Sequence, residues 1–191
     1  VVDELLVGGG MCFTFFAAQG IPVGSSLVDD SMVEFCARLL DNGAPIRLPI
    51  DVTALGPDGV LGDPSSGGEV RQLGRALPDG WIGVDIGPGS AIEFCDAIAD
   101  ARTCLWNGPM GVFEDARFVA GTRTVAESMA DCSGFTVVGG GDSAAAVRQF
   151  GLVDRFDHVS TGGGATLEYI ERGDLPGLAS LRTGQRLESE S

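Results

Sequence analysis

The stretch Phe135-Thr-Val-Val-Gly-Gly-Gly-Asp-Ser-Ala-Ala-Ala-Val-Arg-Gln-Phe150 decides the expected fold. Its first four residues are apolar or β-branched, which is typical of a strand buried on both faces. Three glycines follow, and then an aspartate and a serine, two residue types that commonly cap helix N-termini. Residues 144–150 have high helix propensity. The stretch therefore predicts a strand, a tight turn and a helix whose first N–H groups attract anions.

The same arrangement occurs twice more, at Leu5-Leu-Val-Gly-Gly-Gly-Met11 and at His158-Val-Ser-Thr-Gly-Gly-Gly-Ala165. One such triplet could be a tight turn that only packs a helix on a sheet. Three triplets in one sheet argue for more, because parallel strands bring their carboxyl ends to one edge. The sequence therefore predicts a crevice with a floor of glycine turns.

Composition limits the class of protein and its partners. The chain has 191 residues, is 44% hydrophobic and carries 27 acidic residues against 12 basic ones, for a net charge of −15. All the basic residues are arginine. Because binding to nucleic acid needs clustered cations, we expect no nucleic-acid partner. No apolar run reaches the length of a membrane span, and the acidic start does not resemble a secretory signal.

The cysteines and the single histidine exclude several kinds of site. The five cysteines form no Cys-x-x-Cys pair and are predicted to be reduced core residues of a cytoplasmic protein: Cys12, Cys36, Cys95, Cys104 and Cys132. His158 is the only histidine, so a His-rich zinc site is excluded, as is a Ser–His or Cys–His mechanism built elsewhere. Because it lies beside an apolar strand, we predict a hydrogen-bonded structural role for His158.

Strands and helices alternate along the chain, which predicts an α/β fold: an open, largely parallel sheet with helices on both faces, in a Rossmann-like three-layer arrangement. Strands are predicted over residues 1–7, 46–52, 81–87, 103–106, 135–138 and 157–160. Helices are predicted over residues 11–18, 30–41, 90–101, 122–130 and 144–150, and from the third triplet to residue 172.

Several local signals set the predicted boundaries. Residues 56–80 are rich in turn signals and predict a surface excursion with a short hairpin, not a domain boundary. Ser90-Ala-Ile-Glu93 matches a capping box. The regular pattern is expected to stop at Leu175-Pro-Gly177. One domain over residues 1–181 and a loose polar tail over residues 182–191 are therefore expected.

A dinucleotide-dependent oxidoreductase is one alternative. Gly139-x-Gly141-x-x-Ala144 matches the dinucleotide fingerprint, but a single match is weak. The fingerprint requires an acidic residue ~20 positions on, at the end of the next strand. That strand ends in Ser160-Thr161, and Asp157 lies at its other end. The oxidoreductase is therefore disfavoured, and the absence of lysine excludes a Walker-type loop.

Phosphoryl transfer suits the remaining acidic residues, because it depends on positioning and electrostatics more than on a dedicated base. Asp142 could hold Mg²⁺ that bridges nucleotide phosphates, or it could cap a helix, and the residues alone leave both roles open. Glu114 follows a turn and could accept a hydrogen bond from a ribose hydroxyl, although a solvated loop carboxylate is the simpler local interpretation.

Five segments in order and spacing resemble the nucleotide-binding, C-terminal half of phosphoglycerate kinase. They are Leu6-Val-Gly-Gly-Gly-Met-Cys-Phe-Thr-Phe15, Trp81-Ile-Gly-Val-Asp-Ile-Gly-Pro88, Trp106-Asn-Gly-Pro-Met-Gly-Val-Phe-Glu114, Val138-Gly-Gly-Gly-Asp-Ser-Ala-Ala-Ala146 and Ser160-Thr-Gly-Gly-Gly-Ala-Thr-Leu-Glu168. The resemblance covers about residues 1–181. It implies a kinase of glycolysis that transfers a phosphoryl group between ATP or ADP, with Mg²⁺, and 3-phosphoglycerate or 1,3-bisphosphoglycerate.

The resemblance also implies roles for particular positions. Gly83 would lie against adenine and Glu114 would meet the ribose. The phosphate and Mg²⁺ segment would comprise Gly140, Gly141, Asp142 and Ser143, with Asp142 as the metal ligand. Gly139 and Gly163 would be catalytic, because their N–H groups would face the transferred phosphoryl group. Asn107 and Pro109 would shape the nucleotide cleft.

The chain departs from this family in two ways. The family carries a Gly-Gly-Ala-Lys segment, with a second lysine shortly after it, just before the position that matches Val1, and this chain has no lysine. The acceptor-binding half, with its basic phosphate site and catalytic arginine, has no counterpart either. The resemblance thus implies an incomplete enzyme, expected to be a monomer, inactive alone and able to use the acceptor only with the missing half. A non-catalytic nucleotide-binding module is the competing class.

Overall fold

The computed structural model describes residues 2–183. The first elements are β1 (Leu5–Leu6), α1 (Met11–Ala18), α2 (Val33–Asp41), β2 (Ile46–Arg47), β3 (Asp51–Leu55) and β4 (Val70–Gly74). They are followed by β5 (Ile82–Ile86), α3 (Pro88–Ala99), β6 (Thr103–Asn107), α4 (Ala120–Asp131) and β7 (Phe135–Gly139). The last elements are α5 (Gly141–Gln149), β8 (His158–Ser160), α6 (Gly163–Arg172) and α7 (Pro176–Thr183).

The strands within this range form three hydrogen-bonded sheets. β1 pairs with β2, and β7 lies between β6 and β8; both of these sheets are parallel. β3 lies between β4 and β5 in an antiparallel sheet. The predicted α/β class, with parallel sheets flanked by helices, is confirmed. The antiparallel sheet is an addition to it: no α-helix separates β3, β4 and β5, whereas parallel neighbours are usually joined through an α-helical crossover.

The predicted strand over residues 46–52 is two strands. β2 belongs to the first parallel sheet, whereas β3 belongs to the antiparallel one. Pro49 lies between them, and a proline cannot donate a ladder hydrogen bond. The excursion over residues 56–80 contains β4, which pairs antiparallel with β3, so a hairpin is present, but one of its strands precedes the excursion.

The predicted capping box at the start of α3 is wrong. The N-cap residue of α3 is Gly87, which has no side chain that could cap the helix. Asp51 of β3 instead accepts hydrogen bonds from the N–H groups of Gly89 (2.9 Å) and Ser90 (2.7 Å). The Ser90 hydroxyl accepts from the N–H of Asp51 at 3.0 Å. A carboxylate distant in sequence thus caps this helix and fastens it to the antiparallel sheet.

Both ends of the described chain differ from the prediction. The first strand is limited to Leu5–Leu6, and Val1 lies outside the described residues. α7 begins at Pro176, where the regular pattern was expected to stop. Arg182 belongs to this helix, whereas residues 184–191 of the predicted tail lie outside the described residues.

Three apolar clusters form the core. The largest includes Phe94 and Val138, between α3, α4, α5 and the sheet of β6, β7 and β8. The second surrounds Phe16 of α1. The third is small and includes Leu55 and Phe118, beside the excursion. These clusters fix α1, α4 and α5 to the strands that lead into the glycine triplets.

The cysteines and the histidine differ in how well they match the prediction. All five cysteines are free thiols. Cys12 and Cys36 are buried as predicted, and the other three are half-buried. Burial raises the pKa of Cys12 to about 12, which keeps that thiol protonated. The prediction for His158 is wrong, because its side chain is exposed at the start of β8 and makes no hydrogen bond within residues 2–183.

Candidate functional site

The second and third glycine triplets meet at the carboxyl edge of the parallel sheet. Asn107, Gly139 and Ser160 are paired across β6, β7 and β8, so the three strands end side by side. Gly140 then has φ 99°, a conformation that favours glycine, and α5 starts at Gly141. The helices α5 and α6 therefore both start at this edge, and the free N–H groups of their first turns attract anions.

The backbones of these two turns are in direct contact. A Cβ atom built on Gly163 would lie 2.6 Å from the Cα of Gly140 and 2.7 Å from Oδ1 of Asn107. Only glycine fits here, because backbone atoms cannot move aside as a flexible side chain can. Asn107 thus lies against both triplets.

The loop from Asn107 to Glu114 is held by two helices, α4 and α5. The N–H of Gly108 donates to Oγ of Ser143 in α5 at 2.6 Å. The N–H groups of Met110 and Gly111 both donate to Oγ1 of Thr122 in α4, at 3.1 Å each. The loop therefore has a fixed position relative to both helices.

The first glycine triplet joins the same loop. The N–H of Gly9 donates to the carbonyl of Met110 at 3.1 Å. A Cβ atom built on Gly9 would lie 2.8 Å from the carbonyl oxygen of Pro109. All three triplets are therefore connected, two by direct contact and the first through the loop that contains Pro109.

Ser143 and Thr122 are fully buried, with 0% exposure, and act through their hydroxyl groups. The sequence places Ser143 in the phosphate segment, and in the structure its hydroxyl accepts from the N–H of Gly108 and so also holds the loop of residues 107–114. Thr122 was missed by the sequence analysis, because a threonine in a predicted helix has no local pattern that indicates a buried contact to a distant loop.

Asp142 and Glu114 are both exposed. Asp142 lies in the first turn of α5, and no side chain caps that helix, so the capping role considered for Asp142 is not found. Within residues 2–183 neither carboxylate has a hydrogen-bond or ion-pair partner. Both are therefore free to contact a ligand.

Gly83 lies in β5, next to the loop that contains Glu114. The N–H of Val112 donates to the carbonyl of Val84 at 2.9 Å, which joins the loop to this strand. The N–H of Gly83 donates to Oγ of Ser26 at 2.9 Å. A Cβ atom at Gly83 would collide with the ring of Phe13 in α1. The strand β5 and the helix α1, which follows the first triplet, are thus tightly packed at Gly83.

Asp85 is a second residue that sequence reasoning missed. Its side chain is buried in β5, and its carboxylate accepts hydrogen bonds from the N–H groups of Gly121 (2.7 Å) and Ile86 (2.9 Å). Burial raises the pKa of Asp85 to about 7, although these two hydrogen bonds oppose the rise. Asp85 fixes the start of α4, the helix that carries Thr122.

The described residues do not form an all-protein metal site. No group of three or more histidine, cysteine or acidic residues within residues 2–183 could hold a metal ion. Mg²⁺ is nevertheless commonly bound by one or two carboxylates together with substrate phosphates. Asp142, exposed beside the glycine turns, fits that type of site. In the same range no helix has the length and apolar character needed to cross a membrane.

A family model described as phosphoglycerate kinase matches residues 1–173. The chain is 54% identical over 182 residues to the phosphoglycerate kinase of Parafrankia sp. (strain EAN1pec), which covers 94% of this chain and 44% of the relative. It is 52% identical over 186 residues to the phosphoglycerate kinase of Mycolicibacterium smegmatis, which covers 95% of this chain and 44% of the relative.

Solved structures agree with these matches. The phosphoglycerate kinase of Coxiella burnetii superposes with a TM-score of 0.85 at 36% identity, covering 94% of this chain and 46% of that one. The enzyme of Pyrococcus horikoshii OT3 gives a TM-score of 0.80 at 31% identity, covering 95% and 45%. The chain thus spans less than half the length of the relatives it matches.

Proposed function

Because the chain belongs to the phosphoglycerate kinase family, we propose that it forms the nucleotide-binding part of such an enzyme. In this proposal residues 1–181 are a domain that binds MgATP or MgADP. The remaining part of the enzyme would bind 3-phosphoglycerate or 1,3-bisphosphoglycerate. We also propose that the protein is cytoplasmic, acts in glycolysis and is a monomer.

One observation carries the proposal: the backbone contact between Gly140 and Gly163 at the start of α5 and α6. Without side chains at these positions, phosphate oxygens can approach the main-chain N–H groups of both helix N-termini. The chain has only arginine cations and a net charge of −15. Helix termini and a metal ion therefore supply much of the positive potential that a polyphosphate needs.

The nucleoside end of the ligand would lie on the other side of the cleft. Gly83 of β5 offers an apolar surface to the base, and Glu114 offers a carboxylate to a ribose hydroxyl. The hydrogen bond between Val112 and Val84 keeps these two positions adjacent. Pro109 and Asn107 form the part of the cleft between the nucleoside and the phosphates.

Asp142 would hold Mg²⁺ together with the nucleotide phosphates. Its carboxylate and the phosphates are both anionic, so they approach each other only with a cation between them. The metal, when bound, would neutralise part of the phosphate charge. Gly140, Gly141 and the backbone of Ser143 would then position the phosphates.

Gly139 and Gly163 would supply N–H donors to the oxygens of the transferred phosphoryl group. Such donors stabilise a transition state whose charge spreads over those oxygens, and the loss of one donor typically costs ~3–4 kcal/mol in the barrier. No lysine is available in this chain to add further compensation. The acceptor site that provides proximity would also come from elsewhere. We therefore infer that the chain alone does not catalyse transfer.

A coupled assay for ATP formation from 1,3-bisphosphoglycerate and ADP tests this function. The purified chain alone should give no turnover above a blank. A mixture with the complementary half of a longer relative, which carries its own lysines, should form ATP, and the rate should fall with Gly163→Ala in this chain. Turnover by the chain alone that responds to changes at Gly139 and Gly163 would contradict the proposal. MgADP binding without activity in any mixture would favour a non-catalytic nucleotide-binding module.

A further inference from the structure

Directly after Glu114 lies an unusually well-buried ion pair. Nη2 of Arg117 lies 2.7 Å from Oδ2 of Asp115, and Nε of Arg117 donates to Oδ1 at 3.0 Å, so the guanidinium binds both carboxylate oxygens. The two side chains are 19% and 2% exposed. In every other ion pair within residues 2–183 each side chain is at least 34% exposed. A two-pronged, shielded pair of this kind has a defined geometry, unlike a typical surface pair.

The same pair holds the excursion. Nη2 of Arg117 donates to the carbonyl of Val60 at 3.0 Å. The Asp115 carboxylate accepts from the N–H of Gly62 at 3.3 Å. The pair therefore binds the backbone on both sides of Leu61: Arg117 donates to the carbonyl before it, and Asp115 accepts from the N–H after it. Nothing in the local sequence of the excursion indicates this contact.

The apolar residues beneath the pair connect it to the nucleoside side of the cleft. Leu55, from which the excursion starts, packs with Val84 and Phe118 in the third cluster, and Val112 packs against them. The Arg117 guanidinium lies 4.9 Å from the ring centre of Phe118. The excursion, the strand of Gly83 and the segment of Glu114 thus share one small packing unit.

We propose that Arg117 is a positioning residue for nucleotide binding: by fixing residues 60–62 against Asp115, it sets the position of the adjacent Glu114 relative to β5. This proposal rests on the proposed function of the cleft. Arg117 itself contacts no ligand in this arrangement, because its guanidinium is engaged by Asp115 and Val60. The Glu114 side chain has no partner within residues 2–183, so its position is set by the backbone on either side: Val112 is fixed to β5 before it, and Asp115 is held by Arg117 after it.

The test is a double-mutant cycle in the full chain, read by calorimetric titration with MgADP. The variants are Arg117→Gln, Glu114→Gln and the two combined. Arg117→Gln should weaken MgADP binding about tenfold, and the combined variant should bind no more weakly than Glu114→Gln alone, because both changes act through one contact. Hydrogen exchange at the amide of Gly62 should accelerate in Arg117→Gln. The matched control is Arg155→Gln, because Arg155 pairs with the exposed Asp131 at the far end of α4.

Each other outcome overturns the proposal. Unchanged MgADP affinity in Arg117→Gln, or losses that add in the combined variant, would show that Arg117 does not act through Glu114. An equal loss in Arg155→Gln would show general destabilisation. If the unaltered chain does not bind MgADP at all, the proposed function fails and this proposal fails with it, which distinguishes the two failures.

Discussion

Gly163 and Gly140 approach so closely that a Cβ atom on Gly163 would lie 2.6 Å from the Cα of Gly140. This contact joins the turn after β7 to the turn after β8 and brings the N-termini of α5 and α6 together. The proposed phosphate site depends on it, since a side chain at Gly163 would separate the two turns, and Gly140 has a φ of 99° that favours glycine.

The change Gly163→Ala should therefore weaken MgADP binding by at least about tenfold, because the new methyl group would meet backbone atoms and Asn107. Gly164→Ala is the matched control, because a Cβ atom at Gly164 has nothing within 4 Å. Calorimetric titration of both variants gives the measurement. Equal affinities in the two variants would show that the contact is not needed for binding.

Thr122 should be needed for both stability and binding. Thr122→Val keeps the shape of the side chain but leaves the buried N–H groups of Met110 and Gly111 without an acceptor. An unsatisfied buried donor costs about 1–3 kcal/mol, so the free energy of unfolding should fall by at least that amount. MgADP affinity should fall too, because the loop between Asn107 and Glu114 loses its position.

Urea unfolding and calorimetry measure these two effects of Thr122→Val. Thr122→Ser keeps the hydroxyl and should retain most of the stability and affinity. A Thr122→Val variant as stable and as tightly binding as the unaltered chain would contradict the role of the hydroxyl, and a Thr122→Ser variant as impaired as Thr122→Val would show that the hydroxyl alone is not sufficient.

The buried carboxyl of Asp85 should make stability depend on pH. Its pKa is about 7 in the folded chain and near the ordinary value of 3.8 in the unfolded chain. Between these values the folded chain keeps a proton that the unfolded chain has released. The contribution of Asp85 is thus full below pH 3.8 and is lost as the pH rises towards 7, by at most about 1.4 kcal/mol per pH unit.

Asp85→Asn should remove this part of the pH dependence while keeping an oxygen that can accept from the N–H of Gly121. Urea unfolding of both proteins at pH 5, 6, 7 and 8 gives the free energies to compare. Parallel pH profiles for the two proteins would contradict a raised pKa at Asp85.

NAD should bind no better than ADP. The acidic residue expected of a dinucleotide site is absent from the end of β8, where Ser160 and Thr161 lie. Asp157 accepts instead from the N–H of Thr136 at 2.8 Å, before β8 begins, so it lies at the opposite edge of the sheet. Competition of NAD against MgADP measures the preference, and tighter binding of NAD would revive the oxidoreductase alternative.

Patterns among residues close together in the sequence predicted most of the fold. The apolar runs before each glycine triplet gave the parallel strands, and residues 11–18, which are apolar on nearly all sides, gave α1 with its observed bounds. The excursion and its hairpin followed from turn residues. The strand order of the antiparallel sheet could not be predicted, because pairing between distant segments leaves little trace in one sequence.

The residues that line the candidate site were easier to identify than those that support it. Glycine triplets and an acid after a turn are visible patterns, whereas the buried groups of Thr122 and Asp85 act on partners distant in sequence. The same reason explains the error at Ser90: a local capping motif was outcompeted by Asp51. A single sequence does not reveal such contacts, because each depends on the packing of whole helices.

The most direct test of the account is a titration with ADP in the presence and absence of Mg²⁺. If α5 and Asp142 form the phosphate and metal end of a nucleotide site, the unaltered chain binds MgADP more tightly than free ADP. Asp142→Asn should abolish this difference and lower thermal stability only slightly, because Asp142 makes no cap hydrogen bond and contributes only its charge in the first turn of α5. Equal affinity for ADP and MgADP in the unaltered chain would contradict the metal role of Asp142, and no binding of either would contradict the central claim that this cleft binds nucleotide.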